Sequence, residues 1–179
     1  MTTIDEEYFK SRIRDIPDFP KEGVVFRDIT TLLLEPEAFR KAVDTTYERC
    51  RAVGIDKVVG IESRGFIFGS ILAYKLGCGF VPVRKPGKLP CETIRQEYVL
   101  EYGNGSVEVH VDGIVNGDRV LIVDDLIATG GTMKATCEMI ERLGGKIALI
   151  AVLIELSFLK GQDLLKDYDY FTLMKYDSE

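Results

Sequence analysis

One histidine and no tryptophan occur among the 179 residues of this chain. A single histidine excludes multi-histidine metal centres, and any Ser-His triad would depend on His110 alone. Cysteine is sparse as well. Cys50, Cys78, Cys91 and Cys137 are scattered, and no two have the CxxC spacing of a zinc or thioredoxin-like site. Long apolar runs are missing. The longest, residues 147–154, stops at Glu155 and is too short to span a bilayer. The opening stretch MTTIDEEYFK lacks the apolar segment of a secretory signal, so a reduced, cytoplasmic compartment is expected. Positive charge is also in deficit: 23 basic residues face 29 acidic ones, a formal net charge of -6. That balance speaks against nucleic acid as a partner, which needs a basic face. A small anion met by a few local cations stays open.

What is present describes one soluble domain. Hydrophobic residues make up 46% and charged residues 29%. The length suits a single domain over residues 1–179, without linker or repeat. A chain of this size buries about 70% of its unfolded surface and needs no staples. Helices are expected over 36–53, opened by Pro36 and stopped by Gly54, over 65–76, closed by Gly77, and over 132–143, stopped by Gly144. Apolar strands are expected over 57–61, 80–83, 119–125 and 146–154. The alternation implies an α/β fold, a mainly parallel sheet with helices on both faces. Two further strands, 97–102 and 106–111, flank Gly103-Asn104-Gly105 and read as an inserted antiparallel hairpin. His110 alternates with valines there and is expected to be structural. Residues 84–95, basic and proline-rich, read as a long functional loop.

The strongest chemical signal is VLIVDDLIATGGT, residues 120–132. A strand ends in Asp124 and Asp125, a turn with two glycines follows, and a helix opens at Thr132. Ligands of open α/β sheets sit at strand carboxyl ends. Backbone N–H groups of such a turn cradle an anion, so residues 129–132 are expected to hold a phosphate, with Asp124 and Asp125 facing sugar hydroxyls or a metal beside it. The alternatives fail on spacing: no GxxxxGK[ST] and no complete GxGxxG occurs. A second strand-end turn, GIESRGF, carries Glu62, Ser63 and Arg64. A third segment offers Arg84, Lys85 and Lys88. Two cationic loops on one sheet edge suit a polyanion larger than one phosphate. A fourth segment, FPKEGVVFRD, is either an apolar cover for a flat heterocycle or a packed N-terminal arm.

VLIVDDLIATGGT resembles the phosphoribosyl-pyrophosphate signature of type I phosphoribosyltransferases. PDFPKEGVVFRDIT, GIESRGFIFG, VRKPGKLP and LEYG, in this order, resemble the adenine phosphoribosyltransferases among them, from about residue 13 to residue 173. The resemblance implies the type I phosphoribosyltransferase fold, with an N-terminal hood over residues 1–35 and a flexible loop and hairpin over 84–111. It implies purine salvage: adenine and phosphoribosyl pyrophosphate (PRPP) give AMP and pyrophosphate, with Mg2+ as cofactor held mainly by the substrate, in a homodimer. By match to the motifs, Asp124 and Asp125 face the ribose, and Ala128, Thr129, Gly130, Gly131 and Thr132 hold the 5′-phosphate. Ser63, Arg64, Arg84 and Lys88 hold pyrophosphate, and the Glu62–Ser63 peptide is cis. Val25 and Arg27 meet adenine through their backbone, with Phe26 and Ile127 as walls. Glu101 matches the proposed proton donor or acceptor, though as a residue it reads equally as a solvated hairpin glutamate. Catalytic weight thus falls on Glu101, Arg64, Asp124 and Asp125. One departure is Cys91, which follows KLP where the family usually has glycine.

Overall fold

A computed structural model describes residues 4–99 and 104–178. In chain order the elements are α1 (Glu6–Lys10), β1 (Arg14–Ile16), β2 (Phe26–Asp28), α2 (Thr30–Leu34), α3 (Pro36–Cys50), β3 (Lys57–Ile61), α4 (Gly65–Leu76), β4 (Gly79–Val83), β5 (Thr93–Val99) and β6 (Asn104–His110). There follow β7 (Arg119–Ile127), α5 (Gly131–Arg142), β8 (Lys146–Leu156) and β9 (Tyr170–Tyr176). Five strands form a parallel sheet in the order β4-β3-β7-β8-β9, while β1-β2 and β5-β6 form separate antiparallel pairs.

The apolar strands are buried on both faces, as their near-continuous hydrophobicity requires. Along β7, Leu121 and Val123 join one core with Phe68 and Leu72 of α4 and Ala38 and Ala42 of α3. Val120 and Ile122 join the other, with Met139 and Ile140 of α5 and Val107 and Val109 of β6. Period-two alternation along one strand thus feeds two cores. The N-terminal segment is anchored in the first core by Phe9, Ile29 and Leu32, all fully buried.

The crossover through α4 lies on one face and the crossover through α5 on the other. The chain therefore diverges between β3 and β7, which are neighbours in the sheet. Such a switch point leaves a crevice at the strands' carboxyl ends. The strand registers deepen it. Pairing of β3 with β7 stops at Gly60 and Val123. Pairing of β7 with β8 continues to Ile127 and Glu155. The last residues of β7 therefore have a partner strand on one side only.

Several expectations are adjusted here. β7 does not end at the carboxylates but runs two residues past them, to Ile127. The α3 helix stops at Cys50, with a turn before Gly54. The hairpin turn is not at 103–105. Val99 pairs with Asn104 and Tyr98 with Gly105, so Asn104 and Gly105 belong to a strand. A Cβ at Gly105 would lie 2.5 Å from the Tyr98 ring, which covers that glycine across the ladder. The loop after β4 is shorter than expected, because β5 starts at Thr93 and Arg84 bridges to Glu108.

Candidate active site

The crevice between β3 and β7 is a cavity of about 350 Å³. One wall is Ile61, Glu62, Ser63, Arg64 and Lys85; the other is residues 124–133; Tyr98 and Val107 reach in from the hairpin. The sequence-expected residues Ser63, Arg64, Asp124, Asp125, Ile127, Ala128, Thr129, Gly130, Gly131 and Thr132 all line it.

Why α4 can sit this close to β7 is visible at Gly65. A Cβ there would come within 2.7 Å of the Val123 carbonyl oxygen and 2.9 Å of Asp124 Oδ1. Any larger residue would push the start of α4, and Arg64 with it, off the carboxylates. Arg64 Nε stands 2.9 Å from Asp125 Oδ2. Asp125 is 5% exposed, so its side of the ion pair is buried at the crevice wall, and beyond Arg64 its Oδ2 has no hydrogen-bond partner among the described residues. The Asp125 amide donates to Asp124 Oδ1 at 2.9 Å, so the two carboxylates are rigidly spaced. Burial, then the neighbouring Asp125 charge, pushes the Asp124 carboxyl well above the usual range. Burial also raises Asp125, against the opposing pull of Arg64.

Beyond the carboxylates the backbone turns through a glycine into α5. Gly130 takes a left-handed conformation, φ 81°, and α5 begins directly after it. Gly130 at the N-cap has no side chain to cap that helix, which leaves the first N–H groups to an anion.

The Glu62–Ser63 peptide is cis. Glu62 takes two hydrogen bonds from Arg84, at 2.9 and 3.3 Å, and one from the Lys85 amide at 3.0 Å. The Arg84 hydrogen bonds hold the Glu62 carboxyl below its usual range. Arg84 also donates to the Lys88 carbonyl at 3.1 Å. Arg84 thereby ties the loop to the β3 end, and the cation of this segment that lines the crevice is Lys85. Lys88 is exposed, and neither it nor Arg84 lines the cavity. The sequence offered Lys85 as one of three cations without singling it out, and it gave no sign of Tyr98, Val107 and Met133. The bridge between Arg84 and Glu108, which decides which cation faces inward, joins residues far apart in the chain.

The N-terminal pair β1-β2 borders this site. The Arg64 guanidinium lies 5.0 Å from the Phe26 ring centroid, so Phe26, Arg64 and Asp125 form one continuous row. Arg27 is 5% exposed and its charge is already engaged, by Asp15 at 2.6 Å and the Tyr176 ring at 4.1 Å. Its Nε is buried without a hydrogen-bond partner among the described residues. Asp28 anchors the strand. The Thr30 amide, with Arg14 and the Thr30 hydroxyl, holds its carboxyl down at about 2. Val25, Phe26 and Arg27 do not line the crevice itself. Glu101 lies outside the described residues.

Residues 30–177 match the phosphoribosyl transferase domain model. The chain is 55% identical over 170 residues to adenine phosphoribosyltransferase of Desulfosudis oleivorans, covering 95% of this chain and 98% of the relative. The chain belongs to the adenine phosphoribosyltransferase family. A solved family structure, from Thermoanaerobacter pseudethanolicus, superposes with a TM-score of 0.92 at 49% identity, covering 95% of this chain and 99% of that one. The family enzyme of Saccharomyces cerevisiae, solved with an imino-altritol bisphosphate and adenine, gives a TM-score of 0.89 at 41% identity over 94% of this chain and 97% of that one. The five-stranded parallel sheet with its added antiparallel hairpins is the type I phosphoribosyltransferase fold.

Proposed function

We propose that this chain transfers the phosphoribosyl group of PRPP to adenine, releasing AMP and pyrophosphate in purine salvage. The observation that carries the reading is the switch-point crevice. It sets a buried carboxylate, ion-paired to an arginine, beside a helix N-terminus that opens on a glycine. That is a donor and acceptor set for a sugar, a phosphate and a second anion in a row.

In this reading the amides of residues 129–132 hold the 5′-phosphate, and Asp124 and Asp125 accept hydrogen bonds from the ribose hydroxyls. Ser63, Arg64 and Lys85, with Arg84 and Lys88 from the same loop, face the pyrophosphate. Displacement at the anomeric carbon develops oxocarbenium character, so positioning and fixed charge carry the rate. The buried carboxylates stabilise that positive charge. Arg64 bridges the two ends of the site, since it contacts Asp125 and faces the leaving group. The base enters between Ile127 and Phe26. Among the described residues β2 pairs with β1 alone, and Val25, just before β2, and Arg27 within it are two residues apart, the spacing that turns backbone groups of an extended chain to one side. Those groups pair with the amino donor and ring acceptor of adenine. Glu101 serves as the proton donor or acceptor near the base. The N-terminal 35 residues act as the hood, residues 84–111 as the loop and hairpin cover, and the working form is the family's homodimer.

Magnesium belongs to this reading. Among the described residues no group of three or more His, Cys, Asp or Glu side chains suits a metal ion. A pair of carboxylates is present instead, which fits an ion carried mainly by substrate oxygens with Asp124 and Asp125 alongside. When bound, the ion neutralises the leaving pyrophosphate. No helix among the described residues is long and apolar enough to cross a membrane.

The direct test supplies the purified chain with labelled adenine, PRPP and magnesium. AMP and pyrophosphate are expected in equal amounts, with formation stopped by chelation. Binding of PRPP without any AMP formation would make the chain a ligand-responsive module, and the proposal would fall.

A further inference from the structure

The loop that cradles the phosphate is itself held from behind, by backbone. Gly161 is buried, and a Cβ there would overlap the Ala128 carbonyl oxygen and lie 2.8 Å from the Gly130 nitrogen. From the other side, a Cβ at Gly130 would lie 2.5 Å from the Gly161 carbonyl oxygen. At these two glycines the segments meet main chain to main chain. No side chain can adjust to absorb a change of spacing.

Gly161 is not loosely presented. At one end of its turn Glu155 is 1% exposed. Its carboxylate accepts hydrogen bonds from the Ser157 hydroxyl at 2.9 Å and the Tyr170 hydroxyl at 3.1 Å, with Lys175 Nζ at 3.2 Å. Ser157 opens a 3-10 turn closed by Lys160, whose amide donates to the Ser157 carbonyl at 3.0 Å. Lys160 is left-handed, φ 56°, and turns the chain so that Gly161 faces the cradle. At the other end Leu165 is buried in the core beneath α5. Glu155 is also the register partner of Ile127, so the same strand pair starts both the cradle and its support.

We propose that residues 155–161 are a buttress that sets the width of the 5′-phosphate cradle, with Gly161 as a positioning residue and the Glu155–Ser157 hydrogen bond as its anchor. The proposal rests on the reading of residues 128–132 as the 5′-phosphate site. The mechanism is displacement of N–H donors. A methyl group at Gly161 moves the backbone at 128–130 away from the α5 N-terminus, and misplacement by about 1 Å is enough to cost about a hundredfold. The pyrophosphate end, built from residues 62–64 and 85, lies on the other wall and does not feel the change.

The test measures binding of AMP, ribose 5-phosphate and pyrophosphate to the full chain and to two variants. Gly161→Ala is expected to weaken AMP and ribose 5-phosphate by about tenfold to a hundredfold, with pyrophosphate within about twofold of the parent. In turnover, KM for PRPP should rise more than kcat falls. Ser157→Ala adds no volume, so it also serves if Gly161→Ala fails to fold; it should show the same pattern, weaker, at about threefold to tenfold. Equal losses for AMP and pyrophosphate would reduce the buttress to a general fold contribution and overturn the proposal, as would folded variants with parental AMP affinity. If the parent itself binds neither AMP nor ribose 5-phosphate, the phosphate-site reading has failed instead.

Discussion

Asp125→Asn is expected to lose about a hundredfold in kcat/KM for PRPP while its melting temperature stays close to that of the parent. The size follows from what is removed. Hydrogen bonds to charged groups contribute about 1.5–3 kcal/mol each, roughly ten- to 150-fold. Asp125 is also the partner of Arg64 at 2.9 Å, so the amide leaves that guanidinium without its charge partner. The fold should survive because asparagine has the same shape and the Arg64 pair it weakens lies outside the two hydrophobic cores. The sign of the pH dependence is fixed too. Burial raises both carboxyls, so the pair reaches its charged, accepting form only above the ordinary carboxylate range. PRPP affinity should therefore fall as pH is lowered through that raised titration, earlier than an exposed carboxylate would allow. Steady-state kinetics against pH for parent and variant check this. A variant with parental kcat/KM would remove the ribose role from Asp125.

Replacing adenine by hypoxanthine is expected to lower kcat/KM by about four orders of magnitude. Adenine offers an amino donor beside a ring acceptor, and hypoxanthine offers the reverse. A backbone carbonyl and N–H at Val25 and Arg27 cannot invert their polarity, so the wrong base leaves buried groups unpaired. Sites that read hydrogen bonds in this way reject the mismatch by about 10⁴ to 10⁵. The Arg27 side chain does not soften that discrimination, because Asp15 and Tyr176 already engage it. Competition of hypoxanthine and guanine against adenine at fixed PRPP measures the ratio. Comparable turnover of two bases would place base recognition elsewhere.

Much of the sheet edge that lines the crevice was legible in the chain itself. The limits of β3 and α4 follow from KVVGI and from Gly77, which takes the left-handed cap expected of a terminating glycine. VLIVDDLIATGGT marks the carboxylates and the cradle because strand, turn and helix follow without interruption. What escaped is what depends on distant pairing. β9 is an edge strand, and YFTLMKY mixes aromatics, threonine and lysine instead of forming a continuous apolar run. β1 and β2 have three residues each, too short for any period to register. Gly103-Asn104-Gly105 reads as a turn by composition, yet the Tyr98 ring against Gly105 sets the register otherwise. Lys85 takes the inward position only because Arg84 is held by Glu62 and bridges to Glu108. The support behind the cradle was invisible for the same reason: Gly161 meets Ala128 only once β8 has been laid beside β7.

If the crevice between β3 and β7 and the β2 strand beside it take phosphate, ribose and base in order, a crystal structure of the chain with AMP will show it. The phosphate is expected on the amides of residues 129–132, the ribose hydroxyls on Asp124 and Asp125, and the base between Ile127 and Phe26, its amino edge toward Val25 and Arg27. AMP bound with its phosphate on residues 62–64, or with its base away from β2, would contradict it.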